Sequence, residues 1–157
     1  MRLLSIDPGK AGAICYWEDG KVMDVFDIMQ KPWGSKQFIP DPDMVRDIID
    51  NLDPDVIVIE RVTSSPRAGV SSTGIFLQGF GILIGCCAGY RVEFIRPQIW
   101  KSAAGLSGKL AKIASVDKAV LKHPECEAMV RDHKNSIDRA DAILIGHAFL
   151  LLNREVK

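Results

Sequence analysis

Apolar residues along this chain change their spacing several times, and each change marks an element. The first run, Arg2 to Ile6, ends at Asp7-Pro8-Gly9, a turn signal that places Asp7 at the exit of a strand. Gly12 to Trp17 and Lys21 to Ile28 are two further β-rich runs, joined through Glu18-Asp19-Gly20, and Asp-Gly between such runs favours a tight hairpin. Together they predict an antiparallel meander. Lys31 to Pro42 carries Pro32, Gly34, Pro40 and Pro42 and is expected to be a loop. Asp41 can cap a following helix with Pro42 at its first position, and Met44, Val45, Ile48, Ile49 and Leu52 recur on one helical face.

Asp53-Pro54 stops that helix. Val56-Ile57-Val58-Ile59 then runs without alternation into Glu60, the pattern of a strand buried on both faces and a candidate parallel partner of the first strand. Arg61 to Ser72 is polar and expected to be an exposed loop. Gly74 to Ala88 predicts an apolar helix in which Gly81, Gly85 and Gly89 recur every fourth residue; interior glycines cost up to about 1 kcal/mol each, which close approach by the sheet or by a second subunit could offset. Arg91 to Ile95 predicts a fifth strand, and Pro97 opens a short helix through Trp100 and Lys101 that Gly105 to Gly108 breaks. A basic stretch, Lys109 to Lys122, ends at His123-Pro124, and Ser136 can cap a last, largely buried helix, Ile137 to Asn153. The order is βββαβαβ followed by helices, an α/β fold with a five-stranded mixed sheet.

At 157 residues and 47% hydrophobic, the chain fits one domain over 1–157. Cys15, Cys86, Cys87 and Cys126 form no CxxC pair, which suits a reduced, intracellular (cytoplasmic) protein. Asp7, Pro8 and Gly9 interrupt any apolar leader, and Ile75 to Ala88 is too short for a span of about twenty residues, so neither a signal peptide nor a membrane segment is expected. Net charge is zero, from 20 basic and 20 acidic residues, but the charge is unevenly spread. Glu18 to Asp55 holds ten acids against four bases, whereas Arg96 to Lys122 holds six bases against Asp117 alone.

The chemistry lies where acids interrupt apolar structure. Asp7 and Glu60 end apolar strands, and Asp138 and Asp141 sit three apart on a greasy helix, so they share a face. Singly, Asp7 also fits a turn start, and Asp138 also fits a favourable meeting with a helix dipole. If the first and fourth strands are parallel neighbours, Asp7 and Glu60 emerge side by side at the sheet edge where ligands of open α/β sheets collect. Four clustered carboxylates repel and raise one another's pKa values, and a divalent cation resolves that conflict. All-oxygen ligation selects magnesium or manganese over zinc, and two such ions roughly 4 Å apart support phosphodiester hydrolysis.

Three segments carry a resemblance. Ser5-Ile6-Asp7-Pro8-Gly9, Val58-Ile59-Glu60-Arg61-Val62 and Asp138-Arg139-Ala140-Asp141-Ala142 resemble, in order, the three acidic motifs of RuvC-type Holliday junction resolvases, which have a ribonuclease-H-like fold. The resemblance implies a homodimer that makes paired nicks in four-way and other branched DNA junctions, with Asp7, Glu60, Asp138 and Asp141 as catalytic ligands to two Mg2+ ions (Mn2+ substituting) and no small-molecule cofactor. Basic residues near the glycine-containing loop contact phosphates in such enzymes, and Lys101 and Lys112 match that pattern, with Lys109 competing with Lys112. Arg61 and Arg67, after Glu60, are further candidates for phosphate contact. Relatives often carry an aromatic residue shortly after the second acid, whereas this chain reads Thr63-Ser64-Ser65-Pro66-Arg67. Without the four acids the count is 16 acids against 20 bases, so the remaining surface can attract phosphate. Trp33 and Trp100 suit the core, and Trp33 alternatively a stacked base. The competing functions are a nuclease of the same fold acting on RNA hybrids or flaps, an actin-like ATP-binding domain suggested by Asp7-Pro8-Gly9-Lys10-Ala11-Gly12, and a module that binds junctions without cutting.

Overall fold

A computed structural model describes residues 1–35, 37–62, 69–106 and 111–154, without the side chains of Val70, Ser72, Ala111, Lys112, Ile113 and Arg154. The meander forms as expected: β1 (Arg2–Asp7), β2 (Ala13–Glu18) and β3 (Lys21–Asp27) pair antiparallel in sequence order. Residues 31–42, expected to be a loop, instead hold a two-stranded ribbon, β4 (Gln30–Trp33) and β5 (Gln37–Pro40). Both of its strands are edges, so Pro32 and Pro40 can keep their missing N–H on the unpaired side.

Helix α1 (Pro42–Leu52) starts at the Asp41 cap, whose side chain accepts from Asp43 N–H, and ends at Asp53 in the left-handed region, φ 42°. It leads into β6 (Val56–Glu60), which lies parallel to β1 with Leu3 opposite Val56 and Ile6 opposite Ile59. Helix α2 (Val70–Cys86) begins four residues before the expected Gly74, and β7 (Val92–Ile95) extends the sheet parallel to β6. The five-stranded order is β3-β2-β1-β6-β7. Four helices follow: α3 (Pro97–Ala104), α4 (Ala111–Lys122), a short α5 (Glu127–Val130) and α6 (Ser136–Arg154). The start of α6 falls one residue earlier than expected, with Asn135 O accepting from Arg139 N–H. Among the described residues no helix is long and apolar enough to cross a membrane.

Period-two alternation divides the sheet between two cores. Leu4, Ile6, Ile57 and Ile59 pack against Val45 and Ile49 of α1 and Leu83 of α2. Leu3, Val56 and Val58 face the other way, against Ala140, Ile143 and Leu144 of α6 and Trp100 of α3. Ser5 shares that second face, and its hydroxyl donates to Ala142 O at 2.7 Å while accepting from Trp17 Nε1 at 2.8 Å, which docks α6 onto β1. The sheet does not approach the glycines spaced along α2: nothing lies within 4 Å of a Cβ built at Gly81 or Gly85. Instead Gly79 is the approached position, 3.2 Å from Pro40 Cδ, and Gly89 adopts φ +95° in the turn beyond the helix.

Candidate active site

The alternation that sends Leu3 and Ser5 toward α6 sends Asp7 there too, and Val56 and Val58 do the same for Glu60. Because Ile6 pairs with Ile59 in a parallel ladder, Asp7 and Glu60 are the next residues along two adjacent strands. Asp138 and Asp141 approach the same edge from α6. Asp7 is 7% exposed, and Asp141 Oδ1 is buried.

The electrostatics register this grouping. Burial, followed by the charges of Asp141, Glu60 and Asp138, pushes the Asp7 carboxyl well above its ordinary range, against a hydrogen bond from Gly9 N–H at 3.0 Å. Burial also raises Glu60; Lys101 opposes it and Asp141 adds to it. The buried indole Nε1–H of Trp100 faces Glu60 and favours its ionised form, though without a well-formed hydrogen bond. Gly9 keeps space open in front of the acids: a Cβ there would lie 3.3 Å from Asp7 Oδ1 and 3.4 Å from Asp138 Oδ1.

A hard divalent cation fits this set, since the donors are all oxygens, their like charges conflict, and a glycine preserves the room between two of them. Among the described residues no three acidic, His or Cys side chains already surround a single point, so ligation would draw these carboxylates further together.

Lys101 stands beside the acids, with its ammonium 5.1 Å from the centre of the Trp100 ring. Arg61 is exposed, its N–H bonded to Ile95 O at 2.8 Å. Arg67 and Lys109 lie outside the described residues, and of Lys112 only the backbone, in α4, is described. Trp100 is buried, as expected of a core residue, whereas Trp33 is 52% exposed and does not belong to the core. His123 and His147 bond to each other through their rings at 2.9 Å, and His133 lies 3.8 Å from Asp27.

Sequence reasoning missed Arg139 and Asp27. Arg139, between the two acids of α6, donates to Asp27 Oδ1 at 2.7 Å and to Met129 O at 2.9 Å. Its position in the motif was visible; a partner 112 residues away was not. Trp100, expected in the core, is there, but its contact with Glu60 had no local signal.

No protein-family model and no curated protein sequence matches the chain. Solved structures do match its fold. T. thermophilus RuvC in complex with a Holliday junction substrate aligns with a TM-score of 0.66 at 14% identity, over 99% of this chain and 96% of that one. The yeast mitochondrial Holliday junction resolvase gives 0.59 at 16% identity, over 95% and 78%. The fowlpox virus Holliday junction resolvase gives 0.57 at 16%, over 97% and 99%. The chain therefore has the ribonuclease-H-like fold of RuvC-type Holliday junction resolvases.

Proposed function

We infer that this chain is a metal-dependent endodeoxyribonuclease that resolves four-way and other branched DNA junctions, as one nuclease domain over 1–157 acting in a homodimer. The observation that carries this reading is the convergence of four carboxylates from β1, β6 and α6 on one sheet edge, with Asp7 and Glu60 at adjacent parallel strand ends. The resolvases of the same fold support the choice of substrate.

Asp7, Glu60, Asp138 and Asp141 would hold the metal, Mg2+ or Mn2+ at two ions per site, which when bound supplies an activated water and neutralises charge on the reacting phosphate. Burial and like charge raise the pKa of Asp7 and Glu60, and a cation beside them would offset both effects. Lys101 lies where its ammonium can hold a phosphate next to Glu60, and Arg61 lies on the strand exit beside it. Lys109, Lys112 and Arg67 are further candidates for phosphate contact by sequence alone. Phosphate contacts of this kind position the strand without reading its sequence.

The apolar outer side of α2 supports the homodimer: Leu77 and Ile84 are exposed there, and Gly81 and Gly85 leave room for a second backbone. Two sites related by a twofold axis would give paired incisions. The buried, free cysteines suit a reducing, intracellular setting, and no small-molecule cofactor is part of this reading. The test is cleavage of four-way junctions, flaps, single strands and RNA–DNA hybrids at equal salt in Mg2+. Preferential, symmetric cutting of the four-way junction is expected, and preference for hybrids or flaps would move the assignment to another nuclease of this fold.

A further inference from the structure

A cavity of about 510 Å3 opens beside the acids, between the turn that follows β1, the β4–β5 ribbon and α2. Gly9 belongs to both places: it lines the cavity, and it faces Asp7 and Asp138. The walls combine two aromatic rings, Phe38 (58% exposed) and Phe76 (37% exposed), with polar groups from Lys10 and Gln37. Elsewhere in the lining, Gly79 lets α2 close onto Pro40. Phe38 stands on an edge strand of a two-stranded ribbon, where burial within the chain does not account for it.

We propose that this cavity receives one unstacked nucleobase of the bound DNA, next to the phosphate held at the acids, with Phe38 and Phe76 as stacking faces and Gln37 and Lys10 as polar contacts. The proposal rests on the nuclease reading and deepens it. Ligand cavities of a few hundred Å3 with apolar walls and a small number of polar groups suit a flat heteroaromatic ring. Aromatic side chains stack on any base, and an amide can bond to its edge. Lys10 adds a cation to the lining, which would favour an adjoining phosphate. The continuity through Gly9 places base and phosphate within the reach of one nucleotide. The cavity thus offers aromatic faces that the Thr63-Ser64-Ser65-Pro66-Arg67 stretch lacks in its sequence.

The test uses the full chain carrying Asp7→Asn, which is expected to leave DNA uncut, and four-way junctions with a single 2-aminopurine placed in turn at each position around the exchange point. At one position beside the cleaved phosphate, binding is expected to brighten the probe as it leaves the base stack. Phe38→Ala should abolish that rise and weaken junction binding about tenfold, Phe38→Trp should keep the binding while quenching the extruded probe, and Gln37→Ala should reduce the rise. If the Asp7→Asn protein binds junctions but no probe position responds to residues 37, 38 or 76, this inference fails and the nuclease reading stands. If wild-type protein neither binds nor cuts junctions, both fail. A Phe38→Ala change in subunit association with no change at any probe would assign the cavity to a second copy of the chain and likewise overturn the inference.

Discussion

Arg139 Nε meets Asp27 Oδ1 at 2.7 Å, joining the first turns of α6 to the end of β3. Asp27 is paired with Ala13, and Ala13 with Asp7, so this ion pair anchors α6 two strands away from the β1 acid that its own carboxylates face. Arg139→Ala should cost about 1–3 kcal/mol, because it strips a charge-assisted hydrogen bond from two groups that are 14% and 24% exposed. Cutting should fall as well, since Asp138 and Asp141 lose their anchor. Urea denaturation and cleavage rates measure the two effects.

The same pair sets an acid limit. Burial opposes ionisation of Asp27, but the hydrogen bond and charge of Arg139, with His133 and Asn135, hold its carboxyl below the ordinary range. A depressed folded-state value contributes stability above the unfolded value of about 3.9, and that contribution disappears as pH falls through the folded value. The stability gap between wild type and Asp27→Asn should therefore be present at neutral pH and shrink below about pH 4. A gap that grows on acidification would contradict this.

Asp7 has the opposite sign. Its folded value is raised by burial and by Asp141, Glu60 and Asp138, so without metal its charge destabilises the fold increasingly as pH rises above the unfolded value. Asp7→Asn should raise the Tm of metal-free protein at neutral pH, with a difference that fades toward about pH 4. Mg2+ should raise the Tm of wild type and barely move that of the variant. Thermal melts with and without Mg2+ decide it.

Gly9→Ala should leave folding nearly intact and raise the Mg2+ concentration for half-maximal cutting by roughly tenfold. The added methyl would stand 3.3 Å from Asp7 Oδ1 and 3.4 Å from Asp138 Oδ1, in the space a cation needs. A Mg2+ titration of cleavage reads this out.

The β1–α6 dock gives a stability test. A Cβ at Gly146 would lie 2.6 Å from Ser5 Oγ, so Gly146→Ala must push α6 off the sheet or disturb the Ser5 hydrogen bonds, at about 1–3 kcal/mol. Ser5→Ala would leave the buried Trp17 Nε1–H without its acceptor, at a similar cost. Both are checked by chemical denaturation.

The parts of this arrangement legible in sequence are those whose signals are local. Apolar runs closed by Asp7 and Glu60, the Asp41 cap with Pro42, and the three-residue spacing of Asp138 and Asp141 each point to their element directly. The ribbon was hidden because Pro32, Gly34 and Pro40 mark loops as strongly as they mark edge strands. Val56 to Ile59 is apolar on both faces, so which side Glu60 takes could not be seen until α1, α2 and α6 were placed around it. Gly81 and Gly85 have the spacing of a close approach, yet spacing does not identify the neighbour, and within the chain that role falls to Gly79.

The most direct test is a time course on an end-labelled four-way junction with wild type and with Asp7→Asn, Glu60→Gln, Asp138→Asn and Asp141→Asn, each with and without Mg2+. Wild type should nick the junction only in Mg2+, and all four variants should lose cutting while still shifting the junction in a gel. Nicking by wild type in the absence of divalent cation, or undiminished nicking by any of the four variants, would contradict a shared metal site.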